Sequence, residues 1–342
     1  MKMNMKISYL VCCVVGVVLG SFVNGQEPKM DEPAGYWNVP TRTLGGQQFW
    51  TDTRHWGGWR IQKNHVTGHF RLLDANDIRQ AWGNEIHCKQ ELERLAALQK
   101  LQPYSGKVVI LLHGLNRGHK SMQPLANYLR NAGYQTLNFQ YASGRAGIND
   151  HALALQNVVE GLGKQVDEIY FAGHSLGNIV VRRYLHNVRQ PESVNAGDPR
   201  IKRMVMIAPP NQGSRMARLV DGTRIFQAVS GKSGVQLGSG WKQIEAQLAT
   251  PRFQFAIIAG GSNDQALLNN PLLNGQGDLT VSVEETRLSG AHDTVVIPFS
   301  HTFIMQQPEA MEMTLRFFEN GYLVSEAQRA PLETASQSKP AK

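Results

Sequence analysis

IYFAGHSLGNIVVRRYL, residues 169–185, joins a short apolar run to a helix-like pattern through a serine with a glycine two residues to either side. The run Ile169–Ala172 reads as a strand, and Leu176, Ile179, Val180, Tyr184 and Val188 recur at helical spacing. A strand that turns at once into a helix strains its central residue and crowds the neighbours, so only small side chains fit beside it. Gly173 and Gly177 meet that need, with His174 inside the corner. The Ser175 hydroxyl is then expected above the carboxyl end of a sheet. The N–H groups next to it lie at a helix N-terminus, where they favour negative charge.

Outward from this corner, apolar runs alternate with amphipathic helices from Lys107 onward, the sign of a mostly parallel sheet. Strands are predicted at 107–112, 135–140, 168–172, 203–208, 253–259 and 294–299. Their near-continuous apolar character suits strands covered on both faces. Asp150 is placed to cap a helix with Leu155, Val158, Val159 and Leu162 on one face. Pro308 is placed to open a final helix that Gly321 closes. Between two of the strands, Asn211–Thr250 carries Leu219, Val220, Ile225, Phe226 and Val229. They read either as an apolar cap over a substrate or as a helix packed on the sheet.

Upstream, Thr41–Asp74 is rich in aromatics, Thr, Val and Gly and predicts two or three antiparallel strands. Ile86, Leu92, Leu95 and Leu98 then give Asn84–Leu101 a helical spacing. Trp50, Trp56 and Trp59 read as lining of a groove or as packing on an edge strand. The expected order is a leader at 1–25, a β-rich extension with one helix at 26–105, an α/β domain at 106–324 and a disordered tail at 325–342.

The leader reading rests on Lys2 and Lys6 ahead of an uncharged run, Ile7–Val23, followed by small residues. That is the pattern of a cleaved signal peptide and predicts export to the periplasm or beyond; an uncleaved membrane anchor is the alternative. Cleavage would remove Cys12 and Cys13 and leave Cys88 alone, so no internal disulfide is expected. Cys88 itself reads as a small buried thiol rather than a nucleophile. The net charge of +8 suits solubility and mild attraction to anionic surfaces, a membrane surface among them. The basic residues form no long run, which argues against nucleic acid as a partner.

A serine hydroxyl is a weak nucleophile at neutral pH. It needs a base within hydrogen-bond reach, a group that orients the base, and donors for the negative charge that develops on the attacked oxygen. ILLHGLNRG, residues 110–118, ends a strand at His113–Gly114. The glycine permits a bend that aims the Leu115 N–H at the serine, and Leu176 N–H supplies a second donor. The base is expected after the last strand, where TVVIPFSHTFIM places His301. His113 more naturally props the donor loop, His174 is too near the serine in sequence, and His292 falls at the opposite edge of the sheet. For the acid, Asp264 and Asp278 compete, and length does not decide between them.

With HGLNRG, GHSLGNIVVRRYL, APPNQGS and GDLTVSVEETRL followed by SHTFIM, the chain resembles the α/β-hydrolase superfamily, and within it the bacterial lipase and esterase branch, over about residues 107–318. The resemblance implies an α/β-hydrolase fold and a late Asp-Gly-x-Val segment bearing the triad acid. Asp278, Leu279, Thr280 and Val281 occupy it, with Leu279 in place of the glycine. It implies hydrolysis of carboxylic esters through an acyl-enzyme on Ser175, with His301 as base, Asp278 as its orienting acid and Leu115 and Leu176 as oxyanion donors. The substrate is then a small-molecule or lipid ester, and neither metal nor organic cofactor is expected. An acyltransferase using the same triad and a non-catalytic binder on this scaffold are the alternatives.

Overall fold

The computed structural model describes residues 40–43, 47–189, 197–221, 223–261 and 276–333. The leader and most of the polar segment after it fall outside these residues, as do Asp264 and the last nine positions of the expected tail.

The predicted parallel sheet is present and has six strands. They are β6 (Gly106–Leu112), β7 (Gln135–Phe139), β8 (Val166–His174), β9 (Ile201–Ile207), β10 (Gln254–Gly260) and β11 (Asp293–Ile297). Their spatial order is β11-β10-β9-β8-β6-β7, with every neighbouring pair parallel. The cause is legible along β6, where Val108 through Leu112 are all fully buried. Side chains alternate across a strand. Val108, Ile110 and Leu112 therefore pack on one face with α3 (Ile148–Glu160) and α4 (Leu176–Asn187). Val109 and Leu111 pack on the other with α2 (Gln123–Asn131) and the last long helix, Pro308–Asn320. This is the parallel sheet covered by helices on both faces that the apolar runs predict.

The chain passes from β6 outward to β7, then back across to β8 on the far side of β6. Strand order thus reverses between β6 and β8. In an open α/β sheet, such a reversal opens a crevice at the carboxyl ends of the strands. The loops leaving β6 and β8 begin at His113 and Ser175.

Asp150 sits three residues into α3 and not at its cap. Gly147 is the N-cap, and the Asp150 carboxylate accepts from its N–H at 3.0 Å. Pro308 and Gly321 bound the last helix as expected, Gly321 in a left-handed conformation at φ 84°.

The extension is larger than the sequence pattern suggests. It forms a five-stranded antiparallel sheet ordered β1-β5-β4-β3-β2: Thr41–Arg42, Ile78–Gly83, Phe70–Leu73, Trp59–Asn64 and Trp50–Trp56. Helix α1 (Glu85–Gln99) covers it through Cys88, Leu92 and Leu95, packed on Trp59, Ile61, Leu72 and Ala81. Ile86 and Leu98 point to solvent. The expected helical face is therefore rotated, with Cys88 on it. Burial pushes the Cys88 thiol up to about 12, which keeps it protonated and inert as a nucleophile. The extension sheet is not laddered onto the parallel one; Asp52 N–H donates to Gln140 O, just past the carboxyl end of β7, at 2.8 Å.

The start of the expected tail is ordered. Asp293 accepts from Leu323 N–H at 2.7 Å and Ala330 N–H at 2.9 Å, and Leu332 packs on the core. A buried carboxylate and one apolar anchor thus hold a stretch whose composition alone suggests none.

Candidate active site

Ser175 closes β8 and serves as N-cap of α4 at φ 51°, ψ −122°, a conformation that costs a non-glycine residue free energy and persists only where its surroundings enforce it. The enforcement is visible. Ser175 N–H donates to Ile207 O at 3.0 Å. The Asn178 amide donates to both Ser175 O and Ile207 O at 3.2 Å. A Cβ on Gly177 would stand 2.6 Å from Leu112 O, and one on Gly173 2.9 Å from Asn178 N. Gly114 is needed for the same reason, since a Cβ there would meet His174 Nδ1 at 2.9 Å and Ser175 Cβ at 3.2 Å. The loop after β6 can therefore lie directly against the serine.

Three predicted side chains from distant segments meet at this rim. His301 Nε2 lies 2.9 Å from Ser175 Oγ, and His301 Nδ1 lies 2.7 Å from Asp278 Oδ2. With the Nδ1–H donating to the carboxylate, Nε2 is left to accept the serine hydroxyl. Asp278 is fully buried and braced. Its Oδ1 accepts from Thr280 N–H at 3.0 Å and Val281 N–H at 2.7 Å, and its backbone carbonyl accepts from His301 N–H at 2.9 Å. Leu279 between them has φ 79°, a conformation that glycine adopts without penalty. The loop keeps this shape with a leucine in that place.

The neighbouring histidines take no part in this chain. His174 Nε2 donates to His301 O at 2.8 Å and so fixes the His301 backbone. Burial, reinforced by His301, holds its pKa well below the ordinary value. His113 is fully buried and stacked on Tyr141 at 4.1 Å, and the Tyr141 hydroxyl donates to His113 O. Burial lowers its pKa to about 4, so it stays neutral beneath the start of the loop after β6. His292 precedes β11, with its N–H on Phe255 O, at the amino edge of the sheet.

Leu176 is the first residue of α4, where helix geometry leaves N–H groups without intrahelical acceptors. Leu115 follows Gly114. Gly114, Leu115, Ser175 and His301 border one cavity of about 350 Å³. Its apolar wall comes from Pro210, Met216, Ala217, Val220, Leu237 and Val281, its polar rim from Asn116, Arg117, Ser214, Thr280 and Thr302. Met216, Ala217 and Val220 lie on helix α5 (Arg215–Val220), so part of the expected cap does face the site. Trp241 and Ile244 on the short helix Trp241–Glu245 pack instead into the core. Of the other cap candidates, Leu219 is exposed. The side chains at 225, 226 and 229 lie outside the description.

Trp50, Trp56 and Trp59 do not border this cavity. Arg71 stacks over Trp50 at 3.9 Å, the Trp56 indole donates to Leu101 O, and Trp59 is buried beneath α1. A second cleft, about 410 Å³, lies between Trp56 and α1 and is bordered by Leu92, Ala96, Ala97, Leu101, Arg54 and Glu93, without a nucleophile.

Sequence reasoning missed Asn178, Arg117, Met216 and Thr302. Asn178 carried a signal, as a buried polar residue one turn into a helix otherwise apolar on that face. Arg117 and Thr302 reach the cavity through loop geometry, and Met216 through the placement of α5.

No family model matches the chain, and no curated protein is similar to it. Among solved structures, a lipase of Bacillus licheniformis in mature form is 18% identical, covering 58% of this chain and 86% of that one, with a TM-score of 0.46. The propeptide form of that lipase is 17% identical, covering 68% of this chain and 52% of that one, with a TM-score of 0.48. A phospholipase of Legionella pneumophila, PlaB, is 18% identical, covering 54% of this chain and 45% of that one, with a TM-score of 0.42.

Proposed function

We propose that the protein is a serine hydrolase acting on carboxylic esters. The observation that carries this reading is the continuous contact from Ser175 Oγ to His301 Nε2, at 2.9 Å, and from His301 Nδ1 to the buried Asp278 carboxylate, at 2.7 Å. Those distances are hydrogen-bond distances in a crevice bordered by apolar side chains.

In this reading Ser175 Oγ attacks the ester carbonyl carbon while His301 Nε2 takes the hydroxyl proton. The carbonyl oxygen becomes an oxyanion held by the Leu115 and Leu176 N–H groups, donors fixed in place before the reaction begins. Collapse of the tetrahedral intermediate breaks the ester C–O bond. His301 delivers its proton to the leaving alcohol, and the acyl group stays on Ser175. Water then attacks the acyl carbon with His301 again as base; the acyl–Oγ bond breaks, His301 returns the proton to Ser175 Oγ, and the carboxylic acid departs. Asp278 holds one tautomer of His301 and stabilises its charged form without taking the proton. The apolar wall from Met216 to Leu237 suits an acyl chain.

A fluorophosphonate probe tests the reading. Labelling of the native chain, abolished in Ser175→Ala, supports it; a folded native chain that takes up no probe contradicts it. Turnover of p-nitrophenyl esters of graded chain length, with and without added alcohol, then assigns acyl preference. A new ester appearing with the alcohol would mark acyl transfer in place of hydrolysis.

A further inference from the structure

We infer that the N-terminal antiparallel sheet sets the position of the oxyanion loop, with Gln48 as the positioning residue. This rests on the catalytic reading above and gives the extension a part in it. Gln48 lies in a single 3-10 turn, Gln47–Phe49, that leads into β2.

The loop at 114–119 is held from outside. Asn116 turns it at φ 55°, a left-handed conformation that asparagine tolerates. Side chains of other segments hold several of the loop's backbone groups. Arg117 O accepts from Gln48 Nε2 at 2.9 Å, Asn116 N–H donates to Ser143 Oγ at 3.0 Å, and His119 N–H donates to Gln140 Oε1 at 3.0 Å. Gln48 joins the same two loops through its side chain. While its amide nitrogen holds Arg117, its Oε1 accepts from Ser143 Oγ and Gly144 N–H in the loop after β7, both at 3.4 Å.

The base of this clamp is buried and dense. Gln140 N–H donates to Asp52 Oδ2 at 2.7 Å, and Ala142 N–H to Thr51 Oγ1 at 3.0 Å. Asp52 is fully buried and also receives the Gln62 amide at 2.7 Å and His55 Nε2 at 2.9 Å. Burial alone would raise the Asp52 pKa; His55 and Arg60 outweigh it and keep the carboxyl below its ordinary value. A charged, fully bonded anchor thus fixes β2 to the chain after β7, and Gln48 extends that anchorage to the loop bearing Leu115. Gln48 is not part of the cavity wall. It acts through the loop, and oxyanion donors work by being correctly placed beforehand.

The test uses Gln48→Ala and Gln48→Glu in the full chain. Glutamate keeps the shape and the acceptor oxygens but turns a carboxylate toward Arg117 O. Both variants are expected to lose kcat by about tenfold to a hundredfold, the scale of a misplaced catalytic group, with KM within about twofold. Affinity for phenylboronic acid, whose serine adduct puts an oxygen in the oxyanion site, should fall by the same factor as kcat/KM. Gln48→Glu should recover relative to wild type as pH falls toward about 4.3, where the side chain becomes a donor again. Amide exchange at residues 114–119 should rise in Gln48→Ala. Unchanged kcat and boronate affinity in both variants would overturn the inference, as would lost kcat with unchanged boronate affinity. If the native chain takes up no fluorophosphonate, the catalytic reading fails by itself. Exchange at 114–119 then decides the clamp, with unchanged protection overturning it.

Discussion

A buried carboxylate beside a histidine does two separable jobs in this site. Asp278 Oδ2 faces His301, while Oδ1 holds the N–H groups of Thr280 and Val281. Asp278→Asn can keep the second job through its amide oxygen and lose the first, because an amide N–H facing Nδ1 selects the wrong tautomer. Its kcat is expected to fall about 10⁴-fold with little change in melting temperature. Asp278→Ala should lose comparable activity and also lower the melting temperature, since two buried donors lose their acceptor. Equal melting temperatures for the two variants would contradict this division. Ser175 and His301 were legible as candidates: crowding at the corner demands glycines two residues away, and His301 falls just past the last predicted strand, at the same rim. Asp278 could not be separated from Asp264 by spacing, because the acid is set by how a loop folds back over β10. A Cβ on Gly260, at the end of that strand, would stand 2.6 Å from Asp278 Cβ, a proximity that no linear pattern encodes.

Among the elements, helix α1 shows where periodicity misleads. Ile86 and Leu98 share the apolar spacing with Leu92 and Leu95 yet stand in solvent, while Cys88 is fully buried. Leu92→Ala should cost about 2–5 kcal/mol, the range for a buried leucine, whereas Leu98→Gln should stay within about 0.5 kcal/mol of wild type. Urea denaturation of the two variants checks the contrast, and equal losses would mean that the face is misassigned. The parallel strands were legible because burial on both faces leaves unbroken apolar runs. The antiparallel sheet was undercounted because its strands bury polar groups. Asp52 and Gln62 interrupt the expected alternation, and their partners come from other strands and from the chain after β7. The corner between β8 and α4 carries its own prediction. Gly177→Ala would press a methyl group onto Leu112 O and Leu112 Cβ, 2.6 and 2.8 Å away. A loss of about 1–3 kcal/mol is expected, with lower kcat as the serine shifts. Wild-type stability and turnover in this variant would show that the corner is looser than described.

Among the buried histidines, His113, His151 and His174 are held neutral. Burial lowers His113 to about 4 and His151 to about 3, and carries His174 well below its ordinary value. In the unfolded chain each takes a proton near pH 6.5. Between that pH and the folded values the unfolded state binds more protons, so stability falls as the solution is acidified. Each histidine contributes about 1.4 kcal/mol per pH unit over its window. The urea midpoint should therefore drop steeply from pH 7 to pH 5, and a flat profile would contradict the burial of these rings. At the same scale, the joining of two sheets at Asp52 and Gln140 could not be foreseen, because nothing in either stretch specifies the other. The central claim, that Ser175 is the nucleophile of an acyl-enzyme, is tested most directly by rapid mixing with a p-nitrophenyl ester followed by acid quench and peptide mass mapping. A burst of one p-nitrophenolate per chain, with the acyl mass on the peptide carrying Ser175, is the expected result. Turnover without a burst, with no acyl mass on that peptide at any quench time and undiminished in Ser175→Ala, would contradict it.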